Sequence, residues 1–448
     1  MLAGKIKSLF NKSVKQKKAF CYAPFGSLYF TLDGRINACY NNRMYVLGHY
    51  PANSVSEVWN GKRIKHLRKC IQKHNLTRGC LGCSSLVSDI YKPNQQYDFL
   101  KNYGKYPENL EFQLNNSCNL ACKMCVNGNS VNVKTHSANH DNKCVYDSKF
   151  VDQIEEYLPH LKSSFFLGGE PFLIDIFYEI WERIVKINNN ICISLTSNGT
   201  VLNERVKNIL EKGNFNIMIS VDPFVENKYE NIRRGACFKS TLQNIEYFAD
   251  YMKMRGKNLQ INVCLLKDNW EEIPSIFEYC CNKNYIVYVI FAIVPKQLSL
   301  KYLNSGEIKK ILSLWKQHQN SIPWNVFPAN KLFYENMINQ LEIWASEAAG
   351  FENSSLYKTE NNNALLDIFN SRLHESFKSE LKYLSKYEQK QIMLNLENAM
   401  KTTSAYLNNE DEFKSLLKTM LRFPVHEFAT EGLITKQDKL FDCLLMFR

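Results

Sequence analysis

The chain has 448 residues, of which 45% are apolar and 13% aromatic, and carries a formal charge of +12. That apolar share supports one large catalytic domain with one or two smaller ones and excludes disorder as the dominant state. No run approaches the roughly 20 apolar residues of a membrane span, and the lysine-rich start lacks the apolar core and small-residue cleavage site of a secretory signal, so a cytoplasmic location is expected.

The basic lead, residues 1–19, holds Lys5, Lys7, Lys12, Lys15, Lys17 and Lys18 with no acid, half of the charge excess. Leu2, Ile6, Leu9 and Phe10 give it a weak amphipathic pattern that suits an anionic surface or peptide, although a solvated, frayed terminus is the first reading. Residues 20–95 read as a small α+β module. The alternation in GSLYFTLDGRINACY, with Asp33-Gly34 at its turn, predicts a hairpin, and Val55, Val58, Ile64, Leu67 and Ile71 follow at helical spacing.

From 105 to 297 strand and helix patterns alternate. The strands are NLEFQLN, SFFLGG, CISLTSNG, NIMISVD, LQINVCLL and YIVYVIFAIV, and the helices FVDQIEEYL, FYEIWERIV, RVKNILEKG, LQNIEYFADYM and IPSIFEYC lie between them. Six such strands imply an α/β fold with right-handed crossovers and a parallel, barrel-like sheet, with functional residues at the C-terminal strand ends. Residues 298–448 are mostly helical in pattern and carry a single cysteine, Cys443.

Seven of the fifteen cysteines fall at ligand-like spacings, whereas Cys192 and Cys264 stand singly in apolar runs as core residues. After the first barrel strand, NNSCNLACKMC places Cys118, Cys122 and Cys125 in C-x3-C-x2-C. Fifteen scattered cysteines would produce this spacing by chance only about 0.02 times. Three thiolates hold three irons of a [4Fe–4S] cluster and leave the fourth open, whereas a structural zinc site wants a fourth ligand and the next cysteine is Cys144. In the module, Cys21, Cys39, Cys80 and Cys83 form a second set, for which spacing alone leaves zinc and iron–sulfur equally open.

The core resembles the radical S-adenosylmethionine (SAM) superfamily over roughly residues 108–295. The resemblance implies a partial (β/α)6 TIM-like barrel in which Cys118, Cys122 and Cys125 hold the SAM-binding [4Fe–4S] cluster and Met124 lies near adenine. Gly168-Gly169-Glu170-Pro171, at the end of the second strand, is similar to the family's GGEP motif for the amino group of SAM. Thr196-Ser197-Asn198 and Ser220-Val221-Asp222, with Arg233 or Arg234, are similar to positions that contact ribose and carboxylate, and Asn269 is a further candidate. A guanidinium suits a carboxylate because it forks two hydrogen bonds. Taken singly, the strand-end matches also fit ordinary turns.

The module is similar to SPASM/twitch domains, which implies an auxiliary [4Fe–4S] cluster on Cys21, Cys39, Cys80 and Cys83. It departs from that pattern in preceding the barrel and in lacking a second-cluster run. The resemblance implies reductive cleavage of SAM to a 5′-deoxyadenosyl radical that abstracts hydrogen from a peptide or protein side chain. The alternative is a small metabolite such as an amino sugar, and a third reading is a noncatalytic zinc protein binding nucleic acid. Expected partners are SAM, a reductant such as ferredoxin or flavodoxin, and a precursor peptide or other acidic substrate; nucleic acid is not expected. His136 and His140 in the loop after Cys125 read as solvated. Cys144, Cys280 and Cys281 are candidate hydrogen donors, with core packing the commoner explanation.

Overall fold

The computed structural model describes residues 19–80, 83, 93–125, 144–293, 296–324, 328–379, 381–382, 384–407 and 409–422. The lysines of the basic lead, His136, His140 and Cys443 lie outside these residues.

A single helical turn, α1 (Ala23–Gly26), leads into the hairpin of β1 (Ser27–Phe30) and β2 (Arg35–Asn37), which is followed by the short β3 (Gly48–His49). Gly34 at φ +85° turns the hairpin, and a Cβ there would meet the Tyr50 carbonyl at 2.4 Å. The helical stretch expected next is broken in two, α2 (Val55–Asn60) and α3 (Lys62–Gln72), because Gly61 leaves the helix at ψ 169°. A capping box of Ser54 and Glu57 starts α2, and Val55, Val58, Ile64, Leu67 and Ile71 are all buried.

The core then alternates as its pattern predicts: β4 (Asn109–Phe112), α4 (Ser148–Glu155), β5 (Ser163–Phe166), α5 (Asp175–Ile187), β6 (Cys192–Ser197) and α6 (Glu204–Lys212). It continues with β7 (Phe215–Ser220), α7 (Glu226–Ile232), α8 (Phe238–Met254), β8 (Gln260–Leu265), α9 (Ile273–Asn282) and β9 (Ile286–Phe291). The nine strands form one sheet in the order β3-β2-β1-β4-β5-β6-β7-β8-β9. β4 to β9 are parallel throughout, and the two edges, β3 and β9, do not meet, so the barrel is open.

The module is not set apart from this sheet. β1 pairs in parallel with β4, with Ser27 opposite Asn109 and Phe30 opposite Phe112. Phe30, Phe112 and Phe166 stack in sequence at centroid separations of 5.5 and 4.8 Å, while Phe150 from α4 meets Phe30 and Tyr50. One hydrophobic core therefore runs through module and barrel.

β6, β7 and β8 alternate strictly between buried and half-buried residues. Ile193, Leu195, Ile217, Ile219, Ile261 and Val263 face the helices. The opposite, inner face carries Ser194, Thr196, Asn216, Ser220, Gln260 and Asn262, unlike the apolar runs of strands buried on both sides. Beyond the sheet follow α10 (Ser305–His318), α11 (Pro328–Glu352), α12 (Asn362–Lys378), α13 (Lys386–Leu407) and α14 (Glu410–Met420). Asn330 of α11 accepts the Val287 N–H at 2.9 Å and donates to the Tyr285 carbonyl at 2.9 Å, satisfying the free edge at the start of β9. α12 to α14 build a second core around Leu365, Phe369, Leu396 and Leu417. No helix among the described residues is long and apolar enough to cross a membrane.

Candidate active site and auxiliary thiol site

The cysteine loop lies across the C-terminal ends of the strands and is pinned from two sides. On one side the Gly169 N–H donates to the Asn115 carbonyl (3.2 Å) and the Glu170 N–H to the Ser117 carbonyl (2.8 Å). The approach leaves no space for side chains: a Cβ on Gly168, at φ +135°, would stand 2.3 Å from the Asn115 oxygen, and one on Gly169 2.1 Å from that of Ser117. On the other side the Ala121 N–H donates to Arg234 and the Lys123 N–H to Ile232, both at 2.9 Å. Cys118, Cys122 and Cys125 are free and half-buried.

Glu170 is fully buried. Its carboxylate accepts the Ser197 hydroxyl at 2.9 Å and the backbone N–H groups of Asn198 at 2.7 Å and Phe172 at 3.2 Å. Burial nevertheless dominates and pushes this carboxyl up to about 7. Pro171 opens the turn that follows. The Asn198 amide donates to Asn119 at 3.0 Å and reaches the Cys118 sulfur at 3.8 Å, which ties the third strand end to the first cysteine.

Asp222 and Arg233 form a buried ion pair, Nε to Oδ2 at 2.9 Å, with side-chain exposures of 0% and 7%. Burial alone would lower the Arg233 pKa; the Asp222 carboxylate and the Cys122 thiolate raise it instead. Burial pushes the Cys122 thiol up to about 11, with the guanidinium opposing that rise. Of the two candidate arginines, Arg233 enters the site, whereas the exposed Arg234 offers the loop its carbonyl. Met124 packs against the buried cluster of Ile232, Leu266 and Ala292. Thr196 and Ser220 stand half-buried on the inner face. Asn269 is a strand tie: it accepts the Leu266 N–H at 2.7 Å and donates to the Cys264 carbonyl at 2.9 Å.

The second thiol set lies at the opposite, N-terminal end of β1, because β2 returns antiparallel to bring Cys39 back beside Cys21. Cys21, Cys39, Cys80 and Cys83 line one cavity closed by Ile71 and Tyr97. Burial raises the pKa of all four thiols, to about 12 for Cys21 and Cys80. They become thiolates only against a strong positive charge such as bound iron. The Ala23 N–H donates to the Cys21 sulfur at 3.4 Å and the Asn42 amide to that of Cys80 at 3.2 Å, the kind of contact that tunes a cluster's potential. Among the described residues no three or more His, Cys, Asp or Glu side chains form a group that could hold one metal ion. A cubane cluster makes a different demand, since each thiolate sits on a different iron. Both thiol sets fit such a group.

Four participants escape the motif reading. Asn42 and Tyr97 belong to the auxiliary cavity. Glu111, on β4, accepts the Tyr97 hydroxyl at 2.7 Å and the Tyr40 N–H at 2.9 Å, and burial pushes it up to about 7. Cys264, expected in the core, stands half-buried on the inner face of β8. Strand parity was the available signal for Glu111 and Cys264, since each alternates with residues that face the helices. Of the three cysteines considered as hydrogen donors, Cys280 and Cys281 are buried on α9, and Cys144 contacts the Leu114 carbonyl at 3.5 Å.

The model of the Radical SAM superfamily matches residues 112–280, and that of SPASM, an iron–sulfur cluster-binding domain, matches residues 21–84. Among curated proteins, a GTP 3′,8-cyclase of Clostridium perfringens is 25% identical over 219 residues, covering 48% of this chain and 65% of that protein. A probable GTP 3′,8-cyclase of Methanococcus maripaludis is 27% identical over 202 residues, covering 45% and 63%. The chain thus spans just under two thirds of the length of these relatives. Among solved structures, anSMEcpe with bound AdoMet has a TM-score of 0.36 at 20% identity, covering 47% of this chain and 60% of that one. Streptococcus suis SuiB bound to the precursor peptide SuiA also has a TM-score of 0.36, at 16% identity, covering 59% and 62%. The two matched domains imply [4Fe–4S] clusters and SAM. The chain thus carries a radical SAM superfamily domain that holds the three-cysteine loop and, ahead of it, an iron–sulfur cluster-binding domain of the SPASM type.

Proposed function

We propose that the protein cleaves SAM reductively and that the resulting 5′-deoxyadenosyl radical takes hydrogen from a peptide or protein side chain. Cys118, Cys122 and Cys125 would hold a [4Fe–4S] cluster, which would supply the electron for that cleavage. Gly168, Gly169, Glu170 and Pro171 receive the amino group of SAM, and Met124 gives adenine an apolar contact. Thr196, Ser197, Asn198, Ser220, Asp222 and Arg233 address ribose and carboxylate, with Arg234 contributing through its backbone. Cys21, Cys39, Cys80 and Cys83 hold a second cluster. From Glu111, beside that set, to Cys118 the chain extends over seven residues, at most about 24 Å at roughly 3.4 Å per residue. A relay role for the second cluster is therefore sterically reasonable, fed by a ferredoxin- or flavodoxin-type donor.

One observation carries the substrate class. Among the described residues, no lysine or arginine occupies an inner position of β4 to β9; beside apolar Phe165, Met218 and Ile286 and the carboxyl of Glu111, the face offers the amides and hydroxyls of Ser194, Thr196, Asn216, Ser220, Gln260 and Asn262. Such a lining hydrogen-bonds a peptide backbone or a sugar, and it lacks the cations that a triphosphate, the substrate named in the curated relatives, would call for. A small uncharged metabolite such as an amino sugar is the second reading.

The test is anaerobic reconstitution with iron and sulfide quantification, then a dithionite-dependent assay for 5′-deoxyadenosine. About eight irons per chain and nucleoside formation are expected. Replacing Cys118, Cys122 and Cys125 by Ala should abolish the nucleoside and leave about four irons; nucleoside still formed by that variant defeats the assignment. Peptides encoded beside the gene, offered to the active enzyme and read by mass spectrometry, separate the peptide reading from the metabolite one.

A further inference from the structure

Beyond the basic lead, the charge excess has one further source. Between Glu57 and Asp89 no acid occurs, while Lys62, Arg63, Lys65, Arg68, Lys69, Lys73 and Arg78 supply seven cations. With the six lysines of the lead, these account for the formal charge of +12 and leave the rest of the chain close to neutral. Most of this second set lies on α3. At about 3.6 residues per turn, Lys62, Lys65, His66, Lys69 and Lys73 share one face, and all five are exposed. Ile64, Leu67 and Ile71 form the opposite, buried face. Arg78 faces Glu388 of α13 and is not part of the lysine face.

Local energetics oppose this arrangement. Lys62 and Arg63 stand in the first turn, where the helix dipole favours acids, and no acid is there. Lys65 with Lys69, and Lys69 with Lys73, are like-charge pairs four residues apart, which destabilise a helix. Among the described residues no Asp or Glu forms an ion pair with any of the four lysines. A face that weakens its own helix and answers no charge inside the protein is directed outward. The buried side of the same helix closes the auxiliary cavity, where Ile71 lies beside Cys21, Cys39, Cys80 and Cys83. Lysine face and cavity are thus separated by one helix diameter, about 10–12 Å with side chains. Arg63 carries the basic surface on to the loop before β3, donating to the Val46 carbonyl at 2.6 Å and covering the Tyr45 ring at 4.8 Å. In that loop Asn42 accepts the Tyr45 N–H at 3.2 Å and donates to the Cys80 sulfur at 3.2 Å.

Resting on the two-cluster reading above, we infer that the lysine face of α3 is the docking surface for an acidic one-electron carrier protein, whose electron enters through the auxiliary thiol set. Small soluble carriers of this kind, flavodoxins and ferredoxins, are acidic, and redox partners meet over small, transient interfaces steered by opposite charge. The step is a single electron transfer: the reduced carrier loses one electron, the auxiliary cluster gains it, and no bond or proton moves. The face does not suit the other acceptors of positive charge. None of its five residues is apolar, as a lipid interface requires, and none is a Phe, Tyr or Trp on which nucleic acid bases would stack.

The test titrates the reconstituted full chain with purified flavodoxin, and with a ferredoxin, each oxidised so that nothing turns over. Lys62→Glu, Lys65→Glu, Lys69→Glu and Lys73→Glu, combined, should weaken binding of the carrier at least about ten-fold. Raising salt from about 0.1 to about 1 M, which shortens the screening length from about 10 to about 3 Å, should do the same to the unaltered chain. In rapid mixing, the reduced carrier should bleach the auxiliary cluster of the combined variant at least about ten-fold more slowly. Iron per chain and dithionite-driven 5′-deoxyadenosine should stay as in the unaltered chain. Lys5→Glu, Lys7→Glu, Lys12→Glu and Lys15→Glu remove the same charge from the lead and should leave carrier binding unchanged. Neither carrier binding the unaltered chain, equal binding by the α3 variant, or equal loss in the two variants overturns the inference. Single-stranded RNA that binds the chain and is lost from the α3 variant, with carrier binding unaffected, assigns the face to nucleic acid instead. No nucleoside from the unaltered chain with dithionite overturns the radical reading, while carrier binding judges the docking surface by itself.

Discussion

At Gly169 a single added methyl group probes the whole cysteine loop. The Ser117 carbonyl, 2.1 Å from where a Cβ would stand, is backbone and cannot swing aside. Gly169→Ala should therefore displace the loop, destabilising the fold by about 1–3 kcal/mol and lowering iron in the core site. Iron per chain and the thermal midpoint check this, and wild-type values for both would show that the close approach does not matter. Glu170 supplies a pH test on the metal-free protein. Its carboxyl titrates at about 7 when folded and near its ordinary value of about 4.3 when unfolded. Between these values the native state binds more protons than the unfolded chain. Its contribution to stability is thus fully present below about pH 4.3 and is lost as pH rises toward 7. Glu170→Gln should remove that part of the slope, at most about 4 kcal/mol. Urea titrations at the two ends of the window measure it, and an unchanged slope would mean that the carboxyl is not shifted.

At the scale of elements, the seam between β1 and β4 decides how the two thiol sets relate. A cluster module joined only by a linker would leave the core intact on removal. Here β1 donates a parallel strand, and Phe30 and Tyr50 fill the aromatic stack around Phe112 and Phe150. Deleting residues 1–104 should therefore expose the β4 edge and its aromatic face, giving insoluble or protease-sensitive protein. A soluble truncation that keeps about four irons would show that the seam is dispensable. The elements themselves were legible in the sequence, because six strands and five helices follow local periodicity and caps such as Asn203 on α6. The seam was not: nothing in GSLYF specifies β4 as its neighbour, since strand pairing is a non-local choice.

Across the whole molecule, the helices beyond α11 are organised differently from the rest. α12 to α14 enclose a core of their own, to which Tyr302 is added from outside the bundle. Deletion from residue 361 onward should leave both thiol sites loaded, at about eight irons per chain, and leave nucleoside formation measurable. Loss of iron on that deletion would show that the bundle supports the sites. The sequence by itself determined the candidate ligand motifs and their order along the chain, because C-x3-C-x2-C, Gly168-Gly169-Glu170-Pro171 and the strand-end motifs are local patterns of covalent spacing. Tertiary structure alone decided that Arg233 rather than Arg234 is buried against Asp222, that Cys264 leaves the core for the inner face, and that Glu111 bonds the Tyr97 hydroxyl of the auxiliary cavity. These outcomes depend on which face of a strand meets which neighbour, and that is fixed only when segments far apart in the chain pack together.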